Sequence, residues 1–405
     1  MLNLLYGLTI RAYGAGVYLA SFFLPKARLW VQGRKNWRAV PSRVERPIWF
    51  HCASLGEFEQ ARPIIEAIKK QTPAQSILLS FYSPSGYEPR KQYALADQVV
   101  YLPLDTPANA RDFVLKYQPA AACFIKYEFW YFFLRALHQQ KTPIYLIAGI
   151  FRAQQVFFRP YGFFQRRWLS CFTHFFLQNE ASRQLLATIH LENTSVVGDP
   201  RADRVWDIAQ QSFEDAKLEA FCQNHPVWVI GSSWPADEEK ILPVWDQLPA
   251  PWKLLIVPHE LESNKLKSLQ KRSKGSFYST VNLEDLPDQR VLILDTMGML
   301  SKVYRYAQIC FIGGGYGKGI HNILEAAVYG KPILFGPNWK KYAEAAALLE
   351  LGAAFSNANG DELKSQMDLL QTPEAYQRAA RACHTYFQQN RGATQAIMKW
   401  LNSGF

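Results

Sequence analysis

The chain has 405 residues, of which 49% are hydrophobic and 20% charged, so a mainly disordered chain is excluded and two domains are expected. The formal net charge of +11 favours an anionic partner, such as nucleic acid, a membrane surface or a phosphorylated substrate, without choosing among them. The six cysteines are far apart and show no metal-ligand spacing, so neither a zinc site nor a disulfide framework is indicated.

The first 24 residues are apolar and aromatic and carry a single charge, Arg11. A signal peptide normally has its charge before the apolar core, whereas Arg11 lies in the middle of this segment. Because Arg11 at the centre of a bilayer would cost about 2.5–3.5 kcal/mol, a helix lying in the membrane interface is favoured over a spanning helix. The basic cluster that follows predicts a cytoplasmic position for the next domain. Residues 1–46 are therefore predicted to be a membrane-associated helix and a basic segment; a helix packed on the domain is the alternative.

Two series of short apolar runs alternate with helical patterns, in residues 47–205 and 206–380. Runs such as 48–54 and 308–315 are apolar on both faces and are bounded by Gly, Pro, Ser or Asp. This pattern is typical of parallel sheets covered by helices. We therefore predict an α/β protein with two Rossmann-like domains facing a cleft, in which ligands bind beyond the carboxyl ends of the strands. The end of the chain, residues 381–405, is predicted to be a helix.

The segment His51–Glu57 follows the first predicted strand and opens a helix. Gly56 allows a tight turn, after which Glu57 lies in the first helical turn and faces the cleft. A carboxylate at a helix N-terminus is held ionised by the helix dipole and can act as a general base on a hydroxyl. Because acidic residues are common in first turns for structural reasons alone, the spacing leaves both roles open.

Two further strand ends carry candidate side chains. Lys126–Trp130 (KYEFW) places a charge pair beside bulky aromatics, which indicates either the lip of a cleft or an exposed strand end. Gly231–Trp234 (GSSW) is a strand-to-helix turn in which Ser232 suits contact with a phosphate. Pro235 also suits an ordinary helix start, so this turn has a structural alternative.

Residues 313–319 form a glycine-rich loop between a strand and a helix. Backbone N–H groups of such a loop, here those of Gly314 and Gly315, can bind a phosphate. The spacing matches neither a P-loop nor a GxGxxG fingerprint. Asn322 and Glu325 follow on one helical face, and Glu325 is suited to bind ribose hydroxyls.

Together these segments resemble the Kdo (3-deoxy-D-manno-octulosonic acid) transferase family. The motifs occur in the family's order over nearly the whole chain, to about Asn390, and their joint order and spacing are specific although each motif is modest. They are Ser54–Glu57, Ser83–Gly86, Tyr101–Asp105, Lys126–Trp130, Gly231–Ser232, Asp295–Leu300 and the glycine-rich loop with His321–Glu325.

The resemblance implies a GT-B glycosyltransferase that moves Kdo from CMP-Kdo to a hydroxyl of the lipid IVA disaccharide, with inversion and without a metal or cofactor. This reaction belongs to lipopolysaccharide core biosynthesis at the cytoplasmic face of the inner membrane. Glu57 matches the family's general base and Glu128 its second essential acid. The implied donor site comprises Ser232, His259, Met297, Gly298, Met299, Gly314, Gly315, Asn322 and Glu325.

The chain departs from the family at one donor motif. The family usually has a Pro-Arg-His segment whose Arg contacts the donor phosphate, whereas this chain has Pro258-His259-Glu260. Either His259 or another basic residue must then take the role of that Arg.

Residues 155–176 mix aromatic side chains with arginines. The aromatics are too many for one buried stripe, and such mixtures suit the headgroup region of a membrane. An ordinary core helix whose arginines reach water is the alternative. The residues assigned to this acceptor and membrane face are Ser54, Lys126, Arg159, Arg166 and Arg167.

Three other functions compete with Kdo transfer. A GT-B enzyme that uses a UDP-sugar would explain the two domains and Glu325, but explains SLGE and KYEFW less well. A catalytically inactive nucleotide-binding or scaffold protein would not require both Glu57 and Glu128. A nucleic-acid binder would use the positive charge, but the basic residues lie near apolar and aromatic segments, which favours a membrane and no nucleic acid.

Overall fold

The short apolar runs of both halves form parallel β-strands. The computed structural model describes residues 2–403 and divides the chain into two units. The first unit comprises the residues up to Asp203 and those from Asn390 onward, and the second unit is Arg204–Gln389. Each unit is built on one seven-stranded, wholly parallel sheet, as the sequence predicts.

The first sheet has the spatial order β3-β2-β1-β4-β5-β6-β7. Its strands are β1 (Ile48–Cys52), β2 (Ile77–Phe81), β3 (Gln98–Tyr101), β4 (Ala121–Ile125), β5 (Ile144–Gly149), β6 (His174–Leu177) and β7 (Thr194–Val196). The helices of this part are α1 (Leu2–Ala20), α2 (Pro25–Gln32), α3 (Leu55–Gln71), α4 (Pro84–Arg90), α5 (Pro107–Tyr117), α6 (Tyr131–Gln139), α7 (Phe163–Leu169), α8 (Glu180–Ala187) and α9 (Pro200–Gln210).

The second sheet has the spatial order β10-β11-β9-β8-β12-β13-β14. Its strands are β8 (Val227–Ser233), β9 (Lys253–Pro258), β10 (Ser276–Phe277), β11 (Val291–Ile293), β12 (Ile309–Ile312), β13 (Ile333–Phe335) and β14 (Ala354–Ser356). The helices that follow in the chain are α10 (Ala216–Cys222), α11 (Pro235–Trp245), α12 (Ser263–Ser273), α13 (Leu300–Val303), α14 (Leu324–Ala327), α15 (Ala343–Glu350), α16 (Gly360–Leu370), α17 (Pro373–Asn390) and α18 (Ala393–Ser403). Of these, α18 belongs to the first unit.

The central strand β1 shows why these runs are apolar throughout. All five of its residues are buried, and the neighbouring Trp49 and Phe50 pack into different hydrophobic clusters. Successive side chains of a strand point to opposite faces, so a strand covered on both faces needs apolar residues at every position. His51 is the polar exception in β1 and is completely buried.

Helix α1 packs along the first unit and leaves an apolar outer side exposed. On the inner side the Tyr6 hydroxyl donates to Asp105 Oδ2 at 2.7 Å, and Gly14 lets Leu104 approach so closely that a Cβ there would lie 2.5 Å from Leu104 Cδ1. On the outer side large apolar side chains are exposed, among them Leu19 at 64%, and Phe23 in the turn after the helix is 84% exposed. Over residues 2–403 no helix has both the length and the hydrophobicity needed to cross a membrane.

The predicted C-terminal helix over 381–405 is wrong in one respect, because two helices share this segment. Helix α17 ends at Asn390 and α18 begins at Ala393. Gly392, at φ 96°, makes the break, and the Asp203 carboxylate accepts from the N–H groups of Gly392 and Thr394, both at 2.6 Å. Ile397, Met398 and Leu401 of α18 then join the core of the first unit. Residues 404–405 of the predicted helix lie outside the described residues.

Candidate active site

The carboxyl ends of β1, β2 and β4 bring together the polar groups of the first unit. These strands are neighbours, with His51 opposite Ser80 on one side and opposite Phe124 on the other. Glu57 follows β1 on α3, and Glu128 follows β4 in the loop before α6. The two carboxylates that the sequence singles out therefore lie at the same edge of one sheet.

Glu57 lies in the first turn of α3 and turns back to the end of β1. Its Oε2 accepts the backbone N–H of Ala53 at 2.5 Å. Burial and then the negative charge of Glu128 raise the pKa of Glu57 to about 8, although the Ala53 N–H and the Lys126 ammonium act in the opposite direction. A carboxyl with a pKa near the working pH can both accept and release a proton, as a general base requires.

Glu128 is nearly buried, at 9% exposure, among nitrogen donors. Its Oε2 lies 2.6 Å from Trp130 Nε1 and 3.3 Å from His51 Nε2. The His51 ring contacts Ser80 Oγ through Nδ1 at 2.9 Å, and Trp49 Nε1 donates to the same Ser80 oxygen at 2.7 Å. A negative charge at Glu128 is therefore bound by side chains that are themselves fixed in the core.

Lys126 begins the turn that carries Glu128 and has a left-handed backbone, at φ 64°. A non-glycine residue in this region costs of order 1–3 kcal/mol and is often found at functional sites. Lys126 is half-buried, and its ammonium lowers the pKa of Glu57. Ser54, the second predicted acceptor-side residue, precedes α3 with an extended backbone and makes no side-chain cap, and its backbone N–H also lowers the pKa of Glu57.

In the second unit, loops after four neighbouring strands gather the predicted donor residues. The turn 232–234 follows β8, His259 follows β9, Met297–Met299 follow β11 and the glycine-rich loop follows β12. The carboxyl ends of parallel strands meet at one edge of a sheet, and this is where open α/β sheets bind ligands.

The glycine-rich loop is held by a buried carboxylate, Asp237 of α11. Its Oδ2 accepts from the N–H groups of Gly314 at 2.7 Å and Trp234 at 3.0 Å, and its Oδ1 accepts from Tyr316 at 3.2 Å. Gly314 has φ 88°, and a Cβ on Gly315 would lie 2.5 Å from the backbone N of Gly336. Glycine is thus required at both positions, and the loop conformation is fixed.

His259 belongs to an aromatic stack at this edge. Its ring lies 4.7 Å from that of Trp234 and 4.3 Å from that of His321. Trp234 Nε1 donates to His321 Nε2 at 2.9 Å, which requires that this nitrogen carry no proton. Burial lowers the pKa of both histidines, that of His321 to about 4. The stack is therefore neutral near pH 7, unlike the arginine that the family has near this position.

The remaining predicted donor residues lie at the end of β8 or in the segments that follow β11 and β12. Asn322 Nδ2 donates to Glu325 Oε1 at 2.9 Å, so the two side chains act as a pair. Ser232 has φ 53° and is nearly buried, whereas Met297 is 81% exposed. Gly298 has φ 85° and no atom within 4 Å of a Cβ, and the Met299 sulfur contacts Thr296 Oγ1.

The aromatic and basic segment 155–176 is divided between core and surface. Phe157 and Phe172 are buried, whereas Tyr161 and Phe163 are 70% and 61% exposed. The guanidinium of Arg166 donates to the carbonyls of Phe157 and Arg159 and so fixes the local turn. The side chains of Arg159 and Arg167 are exposed.

Three polar groups have structural contacts that the sequence did not predict, although Asp105 lies within the motif Tyr101–Asp105. Ser80 lies in the middle of an apolar strand, and its use depends on its pairing with His51. Asp105 caps α6 by accepting from the N–H groups of Phe132 and Phe133, both at 3.1 Å. Asp237 reads in sequence as an ordinary first-turn acid after Pro235. Each of the three has a partner at least 27 residues away in the chain, so a local sequence pattern does not reveal the contact.

Within residues 2–403, no group of three or more His, Cys, Asp or Glu residues could hold a metal ion.

Comparison with known proteins gives agreement at the level of family and of fold. The model of the 3-deoxy-D-manno-octulosonic-acid transferase (kdotransferase) family matches residues 26–204. The 3-deoxy-D-manno-octulosonic acid transferase of Haemophilus influenzae is 26% identical over 371 residues, which are 87% of this chain and 86% of that relative. The one of Rickettsia felis is 28% identical over 338 residues, which are 80% and 72% of the two chains.

Two solved structures share the fold along most of the chain. A putative UDP-N-acetylglucosamine 2-epimerase from Listeria monocytogenes aligns with a TM-score of 0.61 and 14% identity, covering 89% of this chain and 97% of its own. The UDP-GlcNAc 2-epimerase of Neisseria meningitidis bound to UDP-GlcNAc aligns with a TM-score of 0.59 and 16% identity, covering 89% and 100%. At such identities the likeness supports the GT-B-like fold alone.

Proposed function

We propose that the chain is a glycosyltransferase of the Kdo transferase family, whose model matches residues 26–204, and that it transfers Kdo from CMP-Kdo to a hydroxyl of the lipid IVA disaccharide, a step of lipopolysaccharide core biosynthesis. One observation carries the proposal: the carboxyl of Glu57, with its pKa raised to about 8, lies at the same sheet edge as Glu128. A transferase that acts on a hydroxyl needs such a base, whereas a nucleotide-binding scaffold does not.

In the proposed reaction, Glu57 accepts the proton of the acceptor hydroxyl. At the same time the hydroxyl oxygen of the acceptor attacks the anomeric carbon of Kdo. The new C–O bond forms on the face opposite the nucleotide, so the configuration inverts. The bond between the anomeric carbon and the phosphate oxygen breaks, and CMP leaves with the electron pair. Glu128 adds a negative charge that raises the proton affinity of Glu57, and Lys126 moderates it.

For the donor we propose that the nucleotide binds at the strand ends of the second unit. The backbone N–H groups of the glycine-rich loop suit the phosphate, and the Asn322–Glu325 pair suits the ribose hydroxyls. His259, stacked between Trp234 and His321, takes the place of the family's arginine as a neutral donor.

The acceptor is a lipid, and we propose that it is reached from the cytoplasmic face of the inner membrane, to which the first unit binds peripherally. The exposed apolar side of α1 supports this proposal, together with Phe22, Phe23, Tyr161 and Phe163, which are 61–84% exposed. Basic residues of segment 26–46 and the exposed Arg159 and Arg167 suit the phosphates of an anionic surface.

Replacing Glu57 by Gln tests the proposal. Glu57→Gln keeps the shape but cannot accept the proton, so turnover of CMP-Kdo with lipid IVA should fall on the order of 10²–10⁴-fold with little change in CMP-Kdo binding. Glu66→Gln, on the same helix, is the matched control and should keep near wild-type turnover.

Near wild-type turnover of Glu57→Gln would remove Glu57 from the mechanism. Turnover of a UDP-sugar in place of CMP-Kdo by the wild-type protein would overturn the proposed donor and favour the UDP-sugar alternative.

A further inference from the structure

A chain of hydrogen bonds leads from the core of the first unit to Glu128. Trp49 Nε1 lies 2.7 Å from Ser80 Oγ, Ser80 Oγ lies 2.9 Å from His51 Nδ1, and His51 Nε2 lies 3.3 Å from Glu128 Oε2. Trp49, Ser80 and His51 are all completely buried. A polar side chain in the centre of an apolar strand is costly unless it is fully hydrogen-bonded, so the presence of His51 there calls for a role.

The donors and acceptors of this chain fix the position of the imidazole proton. An indole N–H can only donate, so Ser80 Oγ accepts from Trp49. The Ser80 hydroxyl hydrogen has two acceptors in reach, His51 Nδ1 at 2.9 Å and the Phe50 carbonyl at 3.5 Å. Because 3.5 Å is long for an O–H donor, the hydroxyl donates to Nδ1, and Nδ1 carries no proton. The proton of the neutral ring is therefore on Nε2, which faces Glu128.

The proton on His51 Nε2 also determines which atom accepts the Trp130 N–H. Its Nε1 lies 2.6 Å from Glu128 Oε2 and 3.0 Å from His51 Nε2. Since His51 Nε2 carries a proton, it cannot accept, and the Trp130 N–H donates to the carboxylate. Glu128 Oε2 thus receives two N–H donors, one from the core and one from the half-buried Trp130.

We propose that His51 is a positioning residue of the transfer reaction: fixed by Ser80 and Trp49 as its Nε2–H tautomer, it holds the Glu128 carboxylate in the place from which that charge acts on Glu57. The inference rests on the proposed function, since it concerns the group that sets the properties of the proposed base. His51 itself need not touch the substrate.

A displaced Glu128 must change the titration of Glu57, because its charge is the largest cause of the raised pKa after burial. Lys126 and the N–H groups of Ala53 and Ser54 act on Glu57 in the opposite direction. Two further groups near these carboxylates are a thiol and a phenol. The pKa of the buried Cys52 thiol is raised by burial and by both carboxylates, and that of Tyr82, stacked on Trp130, is raised mainly by burial.

Two replacements of His51 distinguish the roles of its two ring nitrogens. The amide of Asn reaches the position of Nδ1, so His51→Asn keeps the contact with Ser80 and loses the donor to Glu128. The amide of Gln reaches the position of Nε2, so His51→Gln keeps a donor to Glu128. A purely structural role of the buried ring would be disturbed by both changes alike.

The measurement is the pH dependence of kcat/KM for CMP-Kdo, with the titration of the Glu57 carboxyl followed by ¹³C NMR and assigned with Glu57→Gln. His51→Asn should move the rising limb and the carboxyl titration to lower pH, by about one pH unit, and lower kcat about 10- to 100-fold with an unchanged donor KM. His51→Gln should stay within about threefold of wild type, with its titration unmoved.

Equal behaviour of the two variants, or a Glu57 titration that stays in place or rises in His51→Asn, would overturn the role of His51. If His51→Asn does not fold, Trp130→Phe carries the same test, because it removes the second donor and should move the titration in the same direction. The NMR titration needs no substrate. A wild-type protein without Kdo transfer but with the predicted shift in His51→Asn would therefore refute the proposed function and leave the positioning of Glu128 by His51 standing.

Discussion

The two units build the carboxyl-end edges of their sheets from different parts of the polypeptide. In the first unit the edge consists of side chains that can titrate, Glu57 and Glu128, held by His51 and Trp130. In the second unit it consists mainly of backbone N–H groups of the glycine-rich loop, held by the buried Asp237, and of neutral rings, beside the Asn322–Glu325 pair. The first edge should therefore respond to pH, and the second to the loss of geometry.

The units also differ in the apolar surface that they expose. Most of the exposed large hydrophobic side chains within residues 2–403 belong to α1, the turn after it and segment 155–176 of the first unit. In the second unit they are scattered, as with Leu283 and Leu369. Scattered apolar residues are normal on a protein surface, whereas a concentrated patch indicates an interaction.

The largest effect is expected from removing the carboxylate of Asp237. Asp237→Ala leaves three backbone N–H groups without their acceptor, and a buried unsatisfied donor costs about 1–3 kcal/mol. We expect the free energy of unfolding to fall by about 2–4 kcal/mol and CMP affinity to fall about 10- to 100-fold. Chemical denaturation and calorimetry measure the two quantities.

The control for Asp237 is Glu239→Ala, at an exposed position of the same helix, which should change neither quantity. A folded Asp237→Ala protein with wild-type CMP affinity would show that the glycine-rich loop is not part of the donor site.

A smaller effect, on membrane binding, is expected from replacing two exposed arginines of the first unit. Replacing Arg159 and Arg167 by Ser should weaken binding to anionic phosphatidylglycerol vesicles by about 2 kcal/mol, at about 1 kcal/mol per basic residue near the surface, and should spare CMP binding. Arg166 is left in place because it fixes the turn through the carbonyls of Phe157 and Arg159.

Arg378→Ser with Arg381→Ser provides a control with the same loss of charge, since both side chains are exposed on α17. In vesicle sedimentation at low salt, the Arg159 and Arg167 double variant should bind more weakly than the Arg378 and Arg381 double variant. If both pairs weaken binding equally, the membrane contact reflects net charge and not a defined face of the first unit.

The sequence allowed the fold, and the placement of Glu57 and Glu128 at one sheet edge, to be predicted because these depend on local patterns. Apolar runs of strand length set the two sheets, and Glu57 and Glu128 follow β1 and β4, whose carboxyl ends meet in any parallel sheet. Ser80 and Asp237 could not be identified, because their roles depend on partners that strand register and long-range folding supply. The break at Gly392 was missed because its fixing partner, Asp203, lies 189 residues earlier.

The smallest effect concerns the stability of the first unit and follows from the pKa of Glu57. The value is raised from 4.5 to about 8 on folding, so the folded chain holds this proton more tightly than the unfolded chain. The corresponding stabilisation is complete below about pH 4.5 and is lost as the pH rises through about 8. Asp105, whose pKa burial raises to about 7, adds a loss in the same direction, so wild type must be compared with a variant that lacks Glu57 alone.

Glu57→Gln should therefore melt at about the same temperature as wild type near pH 5 and at a higher temperature near pH 9, where the ionised Glu57 carboxylate destabilises the folded wild-type protein. Asp237→Glu or other changes in the second unit should not remove this pH-dependent difference in melting temperature, because Glu57 and Glu128 lie in the first unit. Differential scanning calorimetry at pH 5, 7 and 9 measures the difference. A wild-type and a Glu57→Gln curve that run parallel across this range would show that Glu57 is already ionised in the folded protein, and that its proton affinity is not the property on which transfer depends.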